Sequence, residues 1–198
     1  WIINKYEFVI DIFKLKWLPI PSRQNKQAYF QPFAQPQSKA FDREHLKLQV
    51  EKAELVIFDV FDTCLHRTVR KPTDLFLLLG ARCAEITGLS QQIFAKERIK
   101  SEEHARMLTE RADITLAEIY DVLIKRNNLE LGLKDALMDK EVALEHNSTY
   151  ANPWILDLFK HVASAEKKIL FLSDMYLPEQ VIESLLREKG FAAEEVVV

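Results

Sequence analysis

The stretch of this sequence that decides its fold is Leu55-Val56-Ile57-Phe58-Asp59-Val60-Phe61-Asp62-Thr63. A second stretch of the same kind, Lys168-Ile169-Leu170-Phe171-Leu172-Ser173-Asp174, comes much later in the chain. Each is a short apolar run that stops at a carboxylate or a hydroxyl. Continuous apolar runs of this length are typical of strands buried on both faces, in a parallel sheet covered by helices. We therefore expect an α/β fold.

Polar side chains mark the end of each predicted strand. Asp59, Asp62 and Thr63 follow the first, and Ser173 and Asp174 follow the second. In open α/β sheets, ligands bind just beyond the carboxyl ends of the strands. The sequence therefore predicts a site that these two strand ends share.

These two stretches resemble the motifs of the haloacid dehalogenase superfamily. Its first motif is a strand that ends in a nucleophilic Asp, commonly Asp-x-Asp-x-Thr, and its second is a strand that ends in Ser or Thr. The first is matched by Phe58-Asp59-Val60-Phe61-Asp62-Thr63-Cys64-Leu65, and the second by Phe171-Leu172-Ser173-Asp174. The likeness spans about residues 53–198 and is closest to a bacterial subgroup of hydrolases, some of them beside or fused to glycosyltransferases. It implies a Rossmann-like parallel core with a helical cap inserted after the first strand.

The resemblance also implies the roles of the strand-end residues in a phosphatase. Asp59 would attack phosphorus, and the resulting aspartyl-phosphate would then be hydrolysed. Thr63 would brace the loop around Asp59, and Ser173 would donate a hydrogen bond to a phosphoryl oxygen. Mg²⁺ would be held by Asp59, by the backbone carbonyl of Phe61 and by acidic residues of a later motif. Oxygen ligands are those that Mg²⁺ prefers.

Two further residues are candidates for substrate binding. Arg67 follows the nucleophile loop and could grip an anionic substrate. Asp174 could hold that loop or approach the metal. The expected substrate is a small phosphorylated metabolite.

The position two residues after the nucleophile departs from the phosphatase pattern. The general acid normally stands there, and an aromatic ring such as that of Phe61 cannot transfer a proton. Asp62, one residue further, either swings in as the acid or ties down the turn with its side chain. An aromatic residue here also resembles the dehalogenase branch, in which Asp attacks carbon and no metal is needed.

The third and fourth motifs of the superfamily, a Lys and a set of acidic metal ligands, have no counterpart in this sequence. They would follow the third strand, which Glu195–Val198 begins. Without them phosphoryl transfer loses most of its charge stabilisation, and the first strand has an unpaired apolar edge. We expect that the chain is a fragment or that another chain supplies its other half.

The segments outside the strands are predicted to be largely helical. Five helices are predicted with both limits: 41–50, Pro72-Thr73 to Gly88, Ser90 to Leu108, Leu133 to His146, and Pro178 to Gly190. Two more are predicted by their starts, at the Thr115-Glu118 capping box and at Asn152-Pro153. The predicted domains are an N-terminal segment over 1–40, a cap over 67–149, and an incomplete core formed by 41–66 and 150–198.

The N-terminal segment differs from the rest in charge. Residues 1–40 carry +4 and the remainder −7 of the net −3, and an acidic body argues against nucleic acid as a partner. Residues 1–18 have the apolar spacing of an amphipathic helix. Residues 22–40 are rich in Gln and Pro and have the composition of a linker. The helix either packs on its own chain, lies on a membrane surface, or docks to a fused or neighbouring glycosyltransferase.

Composition narrows the class of protein, and the resemblance leaves three functional hypotheses. No apolar stretch approaches the ~18 residues of a membrane span, and Cys64 and Cys83 form neither a disulfide framework nor a metal pattern, which favours a reduced cytoplasm. The leading hypothesis is a Mg²⁺-dependent phosphatase. The alternatives are a metal-independent, dehalogenase-like hydrolase and a non-catalytic module associated with surface-polysaccharide enzymes.

Overall fold

The computed structural model describes residues 43–111, 113–192 and 195–198. The predicted helix over 1–18 and linker over 22–40 lie outside these residues. In chain order, the described elements are α1 (Arg43–Lys52), β1 (Leu55–Asp59), β2 (Leu65–Arg67), α2 (Asp74–Thr87), α3 (Gln91–Leu108), α4 (Leu116–Arg126), a 3₁₀ turn (Leu131–Leu133), α5 (Lys134–Ser148), β3 (Thr149–Ala151), α6 (Pro153–Ser164), β4 (Lys168–Leu172), α7 (Glu179–Glu188) and β5 (Val196–Val197). None of these described helices has the length and apolar character needed to cross a membrane.

Three strands form the parallel sheet that the sequence predicts. Their order is β1-β4-β5, so the predicted α/β class is confirmed. In β4 and β5, Phe171 lies opposite Val196 and Leu172 opposite Val197. The amide of Val60, just after β1, donates to the carbonyl of Leu172 at 3.2 Å. The carboxyl ends of β1 and β4 are therefore neighbours.

The burial of these strands differs from the expectation that both sheet faces are covered. Val56, Phe58 and Phe171 are buried, whereas Ile57 is half-buried and Leu172 is 47% exposed. Such alternation is typical of a sheet with only one face fully packed. Among the described residues, the expectation of burial on both faces is wrong, because an apolar run by itself does not show that an element covers each face.

An aromatic cluster fixes the ends of β1 and β4 against each other. It is formed by Phe58, Phe159, Phe171 and Phe191, whose neighbouring ring centroids lie 5.4–6.1 Å apart. Each such pair contributes about 0.5–1.5 kcal/mol beyond the area that it buries. Phe58 directly precedes Asp59, so the cluster also holds the end of β1 at which the candidate site begins.

Strands β2 and β3 form an antiparallel ribbon that brackets a long helical segment. Leu65 lies opposite Ala151 and Arg67 opposite Thr149, and the amide of Thr68 donates to the carbonyl of Ser148 at 2.8 Å. We call residues 68–148 the helical insertion. It contains α2 to α5, as the sequence predicts.

The ends of the insertion helices confirm the predicted capping signals. Helix α2 ends at Gly88, which has a φ of 67°. The Ser90 side chain accepts from the amide of Ile93 at the start of α3. Thr115 and Glu118 form a capping box at the start of α4. These contacts satisfy backbone groups that lack a partner within the helix.

The spacing of the apolar residues between positions 75 and 86 predicts one buried face of α2, to which Ile86 is an exception. The other predicted members of that face, Leu75, Phe76, Leu79 and Cys83, are buried, but Ile86 is 38% exposed. It lies on the same side of the helix but in the final turn, beside Gly88, where the chain turns away. The prediction for Ile86 is wrong for this reason.

By its contacts the chain divides into two compact units. One contains residues 1–57 and 160–169, and the other contains 58–159 and 170–198. In the described part of the first, Nζ of Lys167 donates to the carbonyl of Glu51 at 2.8 Å. The second unit holds the strand ends of β1 and β4 together with the helical insertion. The predicted boundary between cap and core stays a prediction.

Candidate active site

The loop after β1 is closed by its own backbone. The amide of Cys64 donates to the carbonyl of Asp59 at 3.3 Å, and that of Leu65 to the carbonyl of Val60 at 2.9 Å. Asp62 has a φ of 60°, and its amide donates to the carbonyl of Leu65 at 2.8 Å. Asp, Asn and Gly tolerate this left-handed conformation better than other residues. The left-handed backbone conformation alone therefore explains an Asp at position 62, without a catalytic role.

Asn152, which follows β3, is hydrogen-bonded to this loop at two points. Its Nδ2 donates to the carbonyl of Thr63 at 3.1 Å, and its amide donates to the carbonyl of Cys64 at 2.8 Å. The Asn152 side-chain oxygen also accepts from the amide of Trp154 at 3.2 Å. Sequence reasoning assigned Asn152 only to the start of a helix. Its position before Pro153 indicates a turn, but no neighbouring residue in the sequence indicates that Asn152 bonds the loop after β1.

Thr63 makes the direct contact with the candidate nucleophile. Its hydroxyl donates to Oδ2 of Asp59 at 2.6 Å, within the range of a charge-assisted O–H···O⁻ bond. This contact fixes one oxygen of the carboxylate and leaves Oδ1 for another partner. The predicted bracing role of Thr63 thus corresponds to a hydrogen bond to Asp59 itself.

The surroundings of Asp59 oppose its ionisation. Desolvation by the adjacent walls raises the pKa of the Asp59 carboxyl, although the residue as a whole is exposed. The Thr63 hydroxyl and the amide of Val60 lower that pKa, whereas the negative charges of Asp174 and Asp62 raise it further. The net effect is a pKa above the ordinary value of 3.8 for an Asp carboxyl. A cation beside Asp59 would reverse this direction.

Ser173 stands at the end of β4, as predicted. It is 6% exposed, its amide donates to the carbonyl of Val197 at 2.9 Å, and its Oγ accepts from the amide of Met175 at 3.3 Å. Because Oγ accepts in that bond, the hydroxyl hydrogen is left for an acceptor outside the loop. That is the donor that a phosphoryl oxygen would need.

Asp174 and Asp62 are exposed carboxylates on either side of Asp59. Both act on the Asp59 carboxyl through their charge. Within the ranges that the structure describes, neither side chain makes a hydrogen bond. The backbone amide of Asp62, not its carboxylate, closes the turn, so that carboxylate is available to a ligand.

Phe61 and Arg67 pack on each other, and Arg67 pairs with the helical insertion. The guanidinium carbon of Arg67 lies 4.4 Å from the centroid of the Phe61 ring. The Arg67 Nε and Nη2 donate to the two carboxylate oxygens of Glu145 at 3.0 and 3.2 Å. Their side chains are only 6% and 4% exposed. Glu145 is a residue that sequence reasoning missed, since it is 78 positions from Arg67.

Part of this set surrounds a cavity of about 450 Å³, whereas Thr63 and Ser173 are not among the residues that line it. Its charged lining consists of Asp59, Asp62, Glu102, Glu145, Asp174 and Arg67. The apolar and aromatic lining comes from Phe61, Pro72, Phe76, Met175 and Tyr176. The structure therefore brings together Asp59, Asp62, Asp174 and Arg67 from the predicted set, and adds two carboxylates from the helical insertion.

A second cavity of about 440 Å³ meets the first at the loop after β4. Asp174, Met175 and Tyr176 line both cavities. The second is otherwise lined by the start of α4, including Thr115, and by Glu179 of α7. Asp174, an exposed residue, thus borders both spaces.

A buried ion pair supports the cavity from behind. Arg98 of α3 is fully buried, and its Nε and Nη2 donate to the Glu141 carboxylate at 2.8 and 2.7 Å. The hydroxyl of Tyr120 also donates to Glu141, at 2.6 Å. The Arg98 guanidinium lies 4.6 Å from the ring of Phe76 and 4.9 Å from that of Tyr176, both of which line the cavity.

The donor set near Asp59 fits a hard divalent cation. Within the described ranges, no group of three or more His, Cys, Asp or Glu side chains could hold a metal. Mg²⁺, however, commonly uses one or two carboxylates and completes its shell with water and phosphate oxygens. The negative charges of Asp174 and Asp62 at the Asp59 carboxyl are of the kind that a cation offsets. Asp59 and the carbonyl of Phe61 therefore suit Mg²⁺ by donor type.

Comparison with known proteins adds no relative. No family model matches this chain, and no curated protein matches it either. The resemblance to the haloacid dehalogenase superfamily thus depends on the two motifs around Asp59 and Ser173.

Proposed function

We propose that this protein is a Mg²⁺-dependent phosphatase with the haloacid dehalogenase type of core and helical cap, acting on a small phosphorylated metabolite. The observation that carries the proposal is the Asp59 carboxylate, held by Thr63 in a cavity beside the end of the neighbouring strand. A fixed carboxylate in line with phosphorus gains from its geometry what it lacks in nucleophilicity. The resemblance assigns the same role to Asp59.

The proposed reaction has two steps. An oxygen of Asp59 attacks phosphorus, the bond from phosphorus to the ester oxygen breaks, and the alcohol leaves with a proton. Water then attacks the aspartyl-phosphate, which releases inorganic phosphate and restores the carboxylate. The proton for the alcohol comes from Asp62 or from water, because Phe61 offers none.

The remaining groups bind and orient the phosphate. The Ser173 hydroxyl hydrogen would donate to a phosphoryl oxygen. Asp59 and the carbonyl of Phe61 would hold Mg²⁺, with Asp174 near enough to Asp59 to act on it through its charge. When bound, the ion would offset negative charge on the phosphate. The helical insertion would limit the access of bulk water to the cavity.

One observation favours a second candidate, a metal-independent hydrolase in which Asp59 attacks carbon. The Phe61 ring is held against Arg67 at 4.4 Å, so the place of the general acid is aromatic and fixed. A halide leaving group needs no proton, so its departure does not require a general acid at this position. Dependence on Mg²⁺ separates the two candidates.

The test is a phosphate-release screen of the full-length protein with Mg²⁺ and with EDTA. Asp59→Asn should abolish turnover and leave the folded structure intact, whereas Asp157→Asn, the same change at an exposed position of α6, should not. Acid quenching during turnover should trap phosphate covalently on the wild type but not on Asp59→Asn.

Each other outcome has a definite reading. Residual turnover by Asp59→Asn would remove Asp59 as the nucleophile. Turnover of halogenated acids in EDTA would favour the second candidate. A folded full-length protein that is inactive in both assays would support the non-catalytic module.

A further inference from the structure

The side-chain pair Arg67–Glu145 determines the charge that a ligand of the cavity meets. Arg67 is the only basic residue among the described residues that line it. Both side chains are more than nine-tenths buried, and the carboxylate occupies two donors of the guanidinium fork. A free Arg fork would suit a carboxylate or phosphate of a ligand. In this protein a carboxylate of its own chain already occupies that position.

The other charges near the cavity do not replace Arg67 as an anion site. Arg98 lies behind the wall and is neutralised by Glu141. Glu102, which lines the cavity, accepts from Arg98 at 3.3 Å and from Arg106 at 3.1 Å. The carboxylates of Asp62 and Asp174 have no such partner in the described part of the chain.

We infer that the Arg67–Glu145 pair makes the cavity selective for phosphate esters with a neutral or cationic leaving group, and against those with a second anionic group. This inference rests on the proposed function, since it assumes that the phosphate lies at Asp59. A second anion would have to displace Glu145 from Arg67 or lie among like charges, and either weakens its binding. A hydroxyl or an ammonium group meets no such penalty. Glu145 is then a specificity-determining residue that acts through Arg67.

The test uses three phosphonates of similar size that cannot be hydrolysed at an ester bond. They differ in the group at the other end of the carbon chain. This group is a neutral methyl in propylphosphonate, a cationic ammonium in 2-aminoethylphosphonate and an anionic carboxylate in 3-phosphonopropionate. Their affinities for the full-length wild type are measured by calorimetry with Mg²⁺ present. We expect 3-phosphonopropionate to bind about tenfold or more weakly than propylphosphonate, and 2-aminoethylphosphonate to bind at least as tightly as propylphosphonate.

Glu145→Gln releases Arg67 from its partner while keeping the shape of the side chain. In this variant the affinity for 3-phosphonopropionate should rise about tenfold more than that for propylphosphonate, because the freed Arg67 pairs with the second anionic group. A purely structural role of the pair would instead lower both affinities together. Glu183→Gln, which removes one partner of Arg187 on α7, is the matched control and should change none of the three affinities.

The outcomes separate the inference from the proposed function. If the phosphonates bind but the anionic one binds as well as the neutral one, the inference fails and the phosphatase proposal stands. If none binds and no phosphate ester is turned over, both fail. Should Glu145→Gln not fold, the order of the three wild-type affinities still decides the question.

Discussion

The hydroxyl of Thr63 donates a 2.6 Å hydrogen bond to Oδ2 of Asp59, four positions earlier in the chain. The backbone of the same loop is tied by Asn152 through the carbonyls of Thr63 and Cys64. The carboxylate is therefore oriented by a residue whose backbone is itself held by Asn152, directly before α6. Orientation of this kind lets a weak nucleophile act at a defined angle.

Thr63→Val should raise the pKa of Asp59 further, because the hydroxyl that lowers it is lost. Since Asp59 would attack as the carboxylate, the acidic limb of the pH profile of kcat/KM should move to higher pH. Thr63→Ser keeps the hydroxyl and should restore the wild-type limb. An unchanged limb in the valine variant would show that this hydrogen bond does not tune Asp59.

Asp59→Asn should stabilise the fold at neutral pH. Desolvation raises the pKa of Asp59 above its ordinary value of 3.8, which is the value expected in the unfolded chain. The contribution of Asp59 to stability is therefore fully present below that unfolded-state pKa and is lost as pH rises through the folded-state pKa. Asparagine does not ionise, so the Tm of the variant should exceed that of the wild type at pH 7, and the gain should disappear near pH 3.

Thermal unfolding of both proteins across this pH range measures the effect. Asp157→Asn on α6, an exposed position, serves as the control and should give no comparable gain. A Tm difference that grows as the pH falls would contradict the direction of the Asp59 pKa.

Glu141→Leu should destabilise the second unit by about 3–5 kcal/mol, because the fully buried Arg98 loses its two-bond partner and keeps only Glu102, at 3.3 Å. Arg98→Met together with Glu141→Leu should cost less than Glu141→Leu alone, since no unpaired charge remains. Urea denaturation at constant pH measures both. Glu183→Gln, which breaks an exposed pair with Arg187, should cost only about 0–1 kcal/mol.

Gly80→Ala should destabilise the helical insertion in spite of the better helix propensity of alanine. A Cβ at position 80 would lie 2.5 Å from the backbone carbonyl oxygen of Gln91. Helices α2 and α3 would have to separate, at a cost of about 1–3 kcal/mol. Gly132→Ala, where no atom lies within 4 Å of the added Cβ, is the matched control and should be neutral in the same denaturation assay.

The local signals of the sequence predict the helices well. Gly88, Ser90 and the Thr115-Glu118 pair each act within a few residues of their own position, and the structure places a helix end at each. The strand ends at Asp59 and Ser173 follow from apolar runs that stop at polar residues. These features need no knowledge of distant contacts.

The walls of the cavity could not be predicted in the same way. Arg98 is one of many charged residues on α3, and its partner Glu141 is 43 positions away. Burial of Arg98 depends on rings and a carboxylate from three other elements, which no local pattern shows. The pairing of Arg67 with Glu145 is of the same kind, so the sequence could indicate an anion ligand at Arg67 but not its internal partner.

The ribbon formed by β2 and β3 has a consequence for how this protein could change in evolution. Arg67 and Thr149 lie opposite each other, and Cα atoms of facing residues in an antiparallel pair are only about 4.5–5.5 Å apart. The helical insertion thus leaves and returns at one point, where a turn of two residues would be enough to close the chain. A segment attached in this way is a replaceable module: it can be shortened, exchanged or grafted from another protein while the strand that carries Asp59 keeps its place.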